Sequence, residues 1–325
     1  MAKRDFVDFL LKSYENRPKS YEEFSHLMPI LVNERTQYFK LVKGEFEDLK
    51  QILRKLQVLV LEKERTVVIT PKGSRWGNHL YMFLHAFISE KEGNSFKILK
   101  LDAMDYWFNE FKNLSKFSTR LENLNLLDEK LTQNIFYQRF NEDFNQNQLE
   151  DFIKTEILTT DKFQEILENK ASVSDKSLTI NVRRGDFFEG EYRNIYGFDQ
   201  PNYIIHVIEN YLLPKIGEIH EITVVSDDMM WCKENLDFLK KYTENVVFPE
   251  ECINSPINCL YAIANSKNLI IPNSTFSFWG AYISNVIFNN HKNIFAPLFG
   301  ARVNQKNIDS YQLNPNWNII KDFDF

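Results

Sequence analysis

The stretch Leu178-Thr179-Ile180-Asn181-Val182-Arg183-Arg184-Gly185-Asp186 decides the reading of this chain. Its apolar run over 178–182 reads as a strand, and two arginines follow at the strand's carboxyl end. In open α/β sheets, ligands bind at the carboxyl ends of the strands. The rigid guanidinium fork matches phosphate oxygens. Asp186 can hold one guanidinium in place, and Gly185 permits a tight turn. A surface Arg-Asp pair at a strand end would be spelled the same way, so the surroundings must arbitrate.

Those surroundings repeat the pattern. Short apolar runs at 178–182, 222–225, 246–248, 269–271 and 294–296 alternate with helical stretches near 201–213, 229–241, 257–265 and 276–289. That rhythm predicts an α/β fold, with a parallel sheet covered by helices on both faces. Upstream, a strand at 66–70, a helix at 78–88 and a strand at 96–101 precede a mostly helical stretch over 103–170. Residues 1–64 read as a helical extension, with apolar spacing at Phe46, Leu49, Ile52, Leu53 and Leu56. The expected domains are residues 1–64, 65–172 and 173–325, the last boundary falling in Ala171-Ser172-Val173-Ser174-Asp175-Lys176. Two α/β halves with a cleft between them suit a large ligand.

Composition narrows the classes. The 325 residues allow one large domain or two ordinary ones, and 43% hydrophobic content is ample for sizeable cores. A net charge of −6 removes the global basic field that would collect nucleic acid. Cys232, Cys252 and Cys259 are odd in number and irregularly spaced, which argues against a disulfide framework. No Cys/His cluster has zinc-ligand spacing. The first apolar run is broken by Asp8 and Lys12, so it lacks the apolar region of a signal peptide. No stretch of 18 apolar residues occurs. The expectation is a cytoplasmic protein without a transmembrane segment. Phe6, Phe9, Leu10 and Leu11 would give a weak amphipathic patch for peripheral membrane contact, although docking on the protein's own core explains them more cheaply.

Three further segments follow strands. Ser226-Asp227-Asp228 comes after 222–225. Its Ser226 and Asp227 would meet ribose hydroxyls or a base edge, and Asp228 reads as a helix N-cap. Asn273-Ser274-Thr275-Phe276-Ser277 comes after 269–271 and opens a helix, where free backbone N–H groups bind anions. Phe276 and Trp279 could stack on a base or pack a sugar, and plain helix capping is the alternative. Gly73-Ser74-Arg75-Trp76-Gly77-Asn78-His79 joins the first strand to its helix and is neither a Walker loop nor Gly-x-Gly-x-x-Gly. His79 could be a base or a satisfied helix histidine. Asn78 could cap the helix or orient a substrate. The sole Asp-x-Asp, Asp322-Phe323-Asp324, lies at the end of the chain, so no metal site is expected.

These four segments, in this order, resemble the bacterial α-1,2-fucosyltransferases, glycosyltransferase family 11. That family's Gly-x-x-Gly-Asn-Gln loop is matched by Arg75 to His79, and its His-x-Arg-Arg-Gly-Asp by Asn181 to Asp186. Its Ser-Asp-Asp is matched by Ser226 to Asp228, and its Asn-Ser-Ser-Phe-Ser-Trp-Trp-Gly-Ala by Asn273 to Ala281. A terminal Pro-x-Trp agrees as Pro315-Asn316-Trp317. The resemblance covers residues 66–325 and leaves the first 64 without a counterpart.

The resemblance implies a GT-B-like fold of two Rossmann-like halves, with 65–172 on the acceptor side and 173–325 holding the nucleotide sugar. It implies an inverting transfer of L-fucose from GDP-fucose to a glycan hydroxyl in α-1,2 linkage, with no metal and no separate cofactor. The acceptor would be a surface glycan such as an O-antigen or capsule. Arg183, with the helix start at 274–277, would stabilise the leaving pyrophosphate. Arg75, Gly77, His79, Asn181, Arg184, Asp186, Ser226, Asp227 and Asn273 to Ser277 would line the donor site, with Arg184 and Asp186 bracing it. Glu191, at the offset of an acidic residue in related α-1,6-fucosyltransferases, is the candidate base, with Glu189 as the alternate and Asn78 as an orienting group. A solvated acidic loop explains Glu189 and Glu191 as well. Two departures matter: Asn181 replaces the motif histidine, and His79 replaces a glutamine. The first leaves the donor sugar, and even the nucleotide, open to another GDP-deoxyhexose. Competing readings are a phosphohydrolase or kinase, a non-catalytic sugar-nucleotide-binding protein, and an interaction scaffold built on residues 1–64.

Overall fold

The computed structural model describes residues 66–71, 74–124, 129–132, 136–188 and 190–325. The expected helical extension, its amphipathic patch, and Glu189 lie outside the described residues. Two compact units are present. One is drawn from residues within 1–72, 86–102 and 116–134. It carries four parallel strands, β1 (Thr66–Ile69), β2 (Phe96–Leu99), β3 (Ser118–Thr119) and β4 (Glu129–Thr132), in the order β3-β2-β1-β4. Val67 and Val68 are fully buried in its central strand.

The stretch 103–170 was expected to be mostly helical, yet it supplies β3 and β4. β3 is two residues long, too short for alternation to show, and its pairing with β2 defines it.

The other unit takes residues 73–85, 103–115 and 135–325. Its six parallel strands are β5 (Ser177–Val182), β6 (Glu221–Ser226), β7 (Val246–Val247), β8 (Leu269–Ile270), β9 (Ile294–Pro297) and β12 (Asn318–Ile320). From one edge the order is β7-β6-β5-β8-β9-β12. This is the 3-2-1-4-5-6 order of a doubly wound sheet, which reverses direction between β5 and β8. The segments after β5 and β8 therefore flank the crevice where such sheets bind ligands. Leu178, Ile180 and Val182 are buried, and so are Thr179 and Asn181 on the opposite face, as expected of a central parallel strand.

Capping residues start the helices where the sequence puts them. Asp199, Asp228 and Ser255, at the starts of α5 (Gln200–Val207), α6 (Met229–Asn235) and α7 (Pro256–Ala264), accept from the backbone N–H three residues on. Asp228 thus has the N-cap role expected of it. The helix α8 (Thr275–Phe288) is buried nearly all round and ends at Asn289 in the left-handed conformation, φ 52°. Cys232, Cys252 and Cys259 are buried free thiols.

The expected boundary at 172/173 is not where the two units part. Residues 135–172, with helices α2 (Gln146–Phe152) and α3 (Asp161–Asn169), belong to the six-stranded unit. Aromatic packing accounts for this: Phe152 meets Trp279 with ring centroids 5.8 Å apart, and Phe163 meets Tyr261 at 4.6 Å. A hairpin absent from the sequence reading, β10 (Phe299–Val303) with β11 (Lys306–Asp309), turns at Asn304 and Gln305, both at positive φ. Such turns normally announce themselves with glycine, and this one has none.

Candidate functional site

The site is built at the carboxyl ends of β5, β6 and β8. Arg183 leaves β5 with its backbone fixed by Gln200, which is 2% exposed. Gln200 Nε2 donates to the Arg183 carbonyl at 2.6 Å, and Gln200 Oε1 accepts from the Arg183 N–H at 3.1 Å. Its guanidinium is then held by two carboxylates: Nη2 contacts Asp186 at 2.5 Å and Nη1 contacts Asp227 at 2.9 Å. Arg75 reaches Asp186 at 3.1 Å. Two guanidiniums and two carboxylates therefore balance in charge. Arg183 Nε remains buried without a partner, and the Arg75 side chain is 63% exposed.

Asp227 also accepts from the Arg184 N–H at 2.8 Å. Its carboxylate is thus spent on two arginines rather than held free for a ribose or base, the role expected for it. Ser226 Oγ accepts from the Asp228 N–H at 3.0 Å and shapes the same turn. A Cβ at Gly185 would press on the Asp227 carboxylate and push it from its place beside Arg183.

Asn181 is 8% exposed and has both halves of its amide engaged. Its Nδ2 donates to the Val225 carbonyl at 2.8 Å, and its Oδ1 accepts from Ser277 Oγ at 2.5 Å. It links β5, β6 and the first turn of α8. Asn273 plays a similar part, donating to the carbonyls of Tyr196 at 3.1 Å and Gly300 at 2.9 Å. Both were expected to touch a donor, and their amide N–H groups instead serve the scaffold. Asn273 Oδ1 is buried without a partner.

The N-cap Ser274 makes no side-chain capping bond, so the first N–H groups of α8 are left without one beside Thr275 and Phe276. The Gly77 turn lies against this helix start. Its carbonyl accepts from Trp279 Nε1 at 3.0 Å, and a Cβ there would stand 2.6 Å from Thr275 Oγ1 and 2.8 Å from the Phe276 nitrogen. Only glycine allows that approach. The turn opens the helix α1 (Trp76–Lys91).

Asn78 Oδ1 accepts from Gln138 Nε2 at 2.9 Å, and Gln138 Oε1 accepts from Gln312 at 2.9 Å. Asn78 is therefore an oriented amide, and neither glutamine was visible as a partner in the sequence. His79 is 3% exposed, and burial lowers its pKa to about 4. It is neutral at pH 7 with Nε2 unpartnered. Glu191 is exposed, immediately before the short helix α4 (Tyr192–Tyr196), with no side-chain capping bond.

Arg184 parts company with Arg183. Its guanidinium is stacked 3.5 Å from the Phe188 ring centroid and 3.8 Å from that of Trp231. It lines a cleft of about 950 Å³ that Arg193 and Arg302 share and Arg183 does not. The brace expected of it at the donor site comes from Asp186 and Asp227 instead. Burial lowers its pKa, partly offset by Asp228. Gln200, Gln138, Trp231, Arg193 and Arg302 carried no motif that could have marked them.

Among the described residues no helix is long and apolar enough to cross a membrane. Among them, too, no group of three or more His, Cys, Asp and Glu side chains gathers to hold a metal ion.

The chain is similar to known proteins at two scales. Two curated proteins of Escherichia coli match over short stretches. An alpha-1,2-colitosyltransferase is 33% identical over 110 residues, 34% of this chain and 37% of that protein. The O-antigen biosynthesis glycosyltransferase WbnK is 30% identical over 106 residues, 33% of this chain and 34% of that protein. The chain thus spans about a third of the length of the curated relatives it matches. Among solved structures, POFUT1 in complex with GDP aligns with a TM-score of 0.40 at 10% identity, over 72% of this chain and 99% of that one. A mutant of Arabidopsis thaliana FUT1 in complex with GDP aligns with a TM-score of 0.40 at 12% identity, over 82% and 78%. The family model of glycosyl transferase family 11 matches residues 80–320, most of the chain, and the protein belongs to that family.

Proposed function

We propose that the protein is an inverting, metal-independent glycosyltransferase that moves L-fucose from GDP-fucose to a sugar hydroxyl of a glycan, in α-1,2 linkage. The observation that carries this reading is Arg183, fixed beside the uncapped start of α8 at the reversal point of the sheet. A pyrophosphate there meets the Arg183 Nε–H, the exposed Arg75 and the helix N–H groups.

In the transfer, the acceptor oxygen forms a bond to the anomeric carbon as the carbon–oxygen bond to the β-phosphate breaks. The electron pair leaves with GDP, whose growing charge Arg183 and α8 stabilise. The acceptor proton passes to Glu191, the exposed carboxylate on the segment after Asp186. Asn78, its amide fixed by Gln138, orients the acceptor and does not take the proton.

A second donor, another GDP-deoxyhexose, is favoured by one observation: Asn181 stands where the family motif has histidine and, with its amide engaged on Val225 and Ser277, offers a donor sugar no imidazole contact. A colitosyltransferase among the relatives fits the same reading. Donor turnover tests the proposal: GDP release from GDP-fucose with EDTA present, measured with and without glycan acceptors. Release that needs added Mn²⁺ or Mg²⁺ overturns metal independence. No release from any GDP-deoxyhexose overturns the enzyme reading in favour of a non-catalytic binding protein.

A further inference from the structure

Two consecutive arginines that point to two different places leave the second one without an assigned role. Arg184 is held between Phe188 and Trp231, so its guanidinium plane is fixed. Its Nε is buried and unpartnered. A guanidinium clamped on both faces presents its N–H edge, the geometry that binds carboxylate or phosphate oxygens in pairs.

Two more arginines face the same cleft. Arg193 is exposed and near enough to Arg184 to lower its pKa. Arg302, on β10, spends Nη1 on the Gly197 carbonyl at 2.5 Å, and its guanidinium lies over the Phe299 ring. Three guanidiniums thus gather in a chain whose net charge is −6. The carboxylates nearby are fewer, and their oxygens already accept hydrogen bonds. Asp199, the one acidic residue of the lining, uses both oxygens on Asn202, at 3.1 and 2.7 Å. Asp228 caps its helix at Trp231, and Asp227 pairs with Arg183. The lining thus carries three guanidiniums against the single carboxylate of Asp199, and Asp228 and Asp227 behind it offset Arg184 only in part. A volume of about 950 Å³ exceeds what an isolated ion needs and suits a sugar of one or more residues.

We propose that this cleft is a subsite for an acidic sugar of the acceptor glycan, its carboxylate or phosphate gripped by Arg184, Arg193 and Arg302. As an acceptor subsite it rests on the glycosyl transfer proposed above; as a site for an anionic sugar it stands by itself. The segment 184–199 that carries Arg184 and Arg193 also carries Glu191, so a glycan anchored by its charge would approach on the side of the candidate base.

The test is calorimetric titration of the full chain with digalacturonic acid, galactose 6-phosphate and the neutral disaccharide galactobiose, with GDP titrated separately. At least one acidic probe is expected to bind about tenfold more tightly than galactobiose, and less tightly as salt is raised. The two acidic probes separate a carboxylate from a phosphate preference. Arg193→Gln, which removes a side chain with no partner among the described residues, is expected to weaken that binding by about tenfold and to leave GDP binding unchanged. Arg302→Gln should act in the same direction. Equal binding of acidic and neutral probes, no binding of either acidic probe at millimolar concentration, or an Arg193→Gln protein that binds like wild type would overturn the proposal. So would loss of GDP binding in Arg193→Gln, which would assign the cleft to the donor. Selective acidic-sugar binding by a protein that binds no nucleotide would instead remove the transferase reading and leave the anionic-sugar site standing.

Discussion

Ser277 Oγ donates to Asn181 Oδ1 at 2.5 Å, tying the first turn of α8 to the end of β5 across the point where the sheet reverses direction. Both residues are buried, at 1% and 8% exposure. The bond fixes the helix start relative to the strand that delivers Arg183, two residues further on.

Asn181→Ala should therefore cost stability. It strips a partner from the buried Ser277 hydroxyl and from the Val225 carbonyl, a loss of about 2–3 kcal/mol. Equilibrium denaturation reads this directly, and a change below about 0.5 kcal/mol would make the link incidental.

Arg183→Ala should lower turnover by about 10²–10³-fold, the scale seen when one charge-stabilising donor is removed. The fold should survive, because the carboxylates left behind are partly exposed and the lost ion pairs contribute about 1 kcal/mol. Steady-state kinetics with a thermal melt separates the two effects. Near wild-type turnover would remove Arg183 from the site.

Gly77→Ala should disturb the α8 start itself. The new methyl would press on Thr275 Oγ1 and the Phe276 nitrogen. Overpacking of this kind costs about 1–3 kcal/mol, and nucleotide affinity should fall with it. Unchanged melting and binding would mean that the turn moves away freely.

Acid should weaken the fold through His79. Its folded pKa is depressed to about 4 by burial, so between about 6.5 and 4 the unfolded chain binds a proton that the native chain does not. Stability falls as pH drops through that window, by on the order of 3 kcal/mol from this residue. His79→Gln should flatten the profile there, and an unchanged slope would contradict the account.

Glu191→Gln should slow transfer by about 10²-fold while leaving nucleotide affinity unchanged, as loss of a proton acceptor does. Matching rates would move the base elsewhere.

Much of this was legible in the sequence because strand ends are spelled locally. The apolar runs of β5, β6 and β8 and the polar segments after them gave the sheet and the place of Arg183, Asp227 and Ser277. Asp228 as an N-cap could be read from position alone. The division of labour among these residues could not. Asp227 looked like a ribose ligand until its carboxylate met two arginines. The two motif arginines looked like one device, yet Arg184 is drawn off by Phe188 and Trp231, the latter 47 residues along the chain. Gln200 and Gln138 act through contacts 17 and 60 residues apart. Residues 135–172 carried no sign that Phe152 and Phe163 pack with the six-stranded sheet's unit.

The most direct test is calorimetric titration of the wild-type chain and Arg183→Ala with GDP, UDP, CDP and ADP in the presence of EDTA. The account predicts that GDP binds in preference to the others and that Arg183→Ala removes this binding. Failure of all four to bind, or GDP binding that persists in Arg183→Ala, would contradict the placement of a donor at Arg183 and the start of α8.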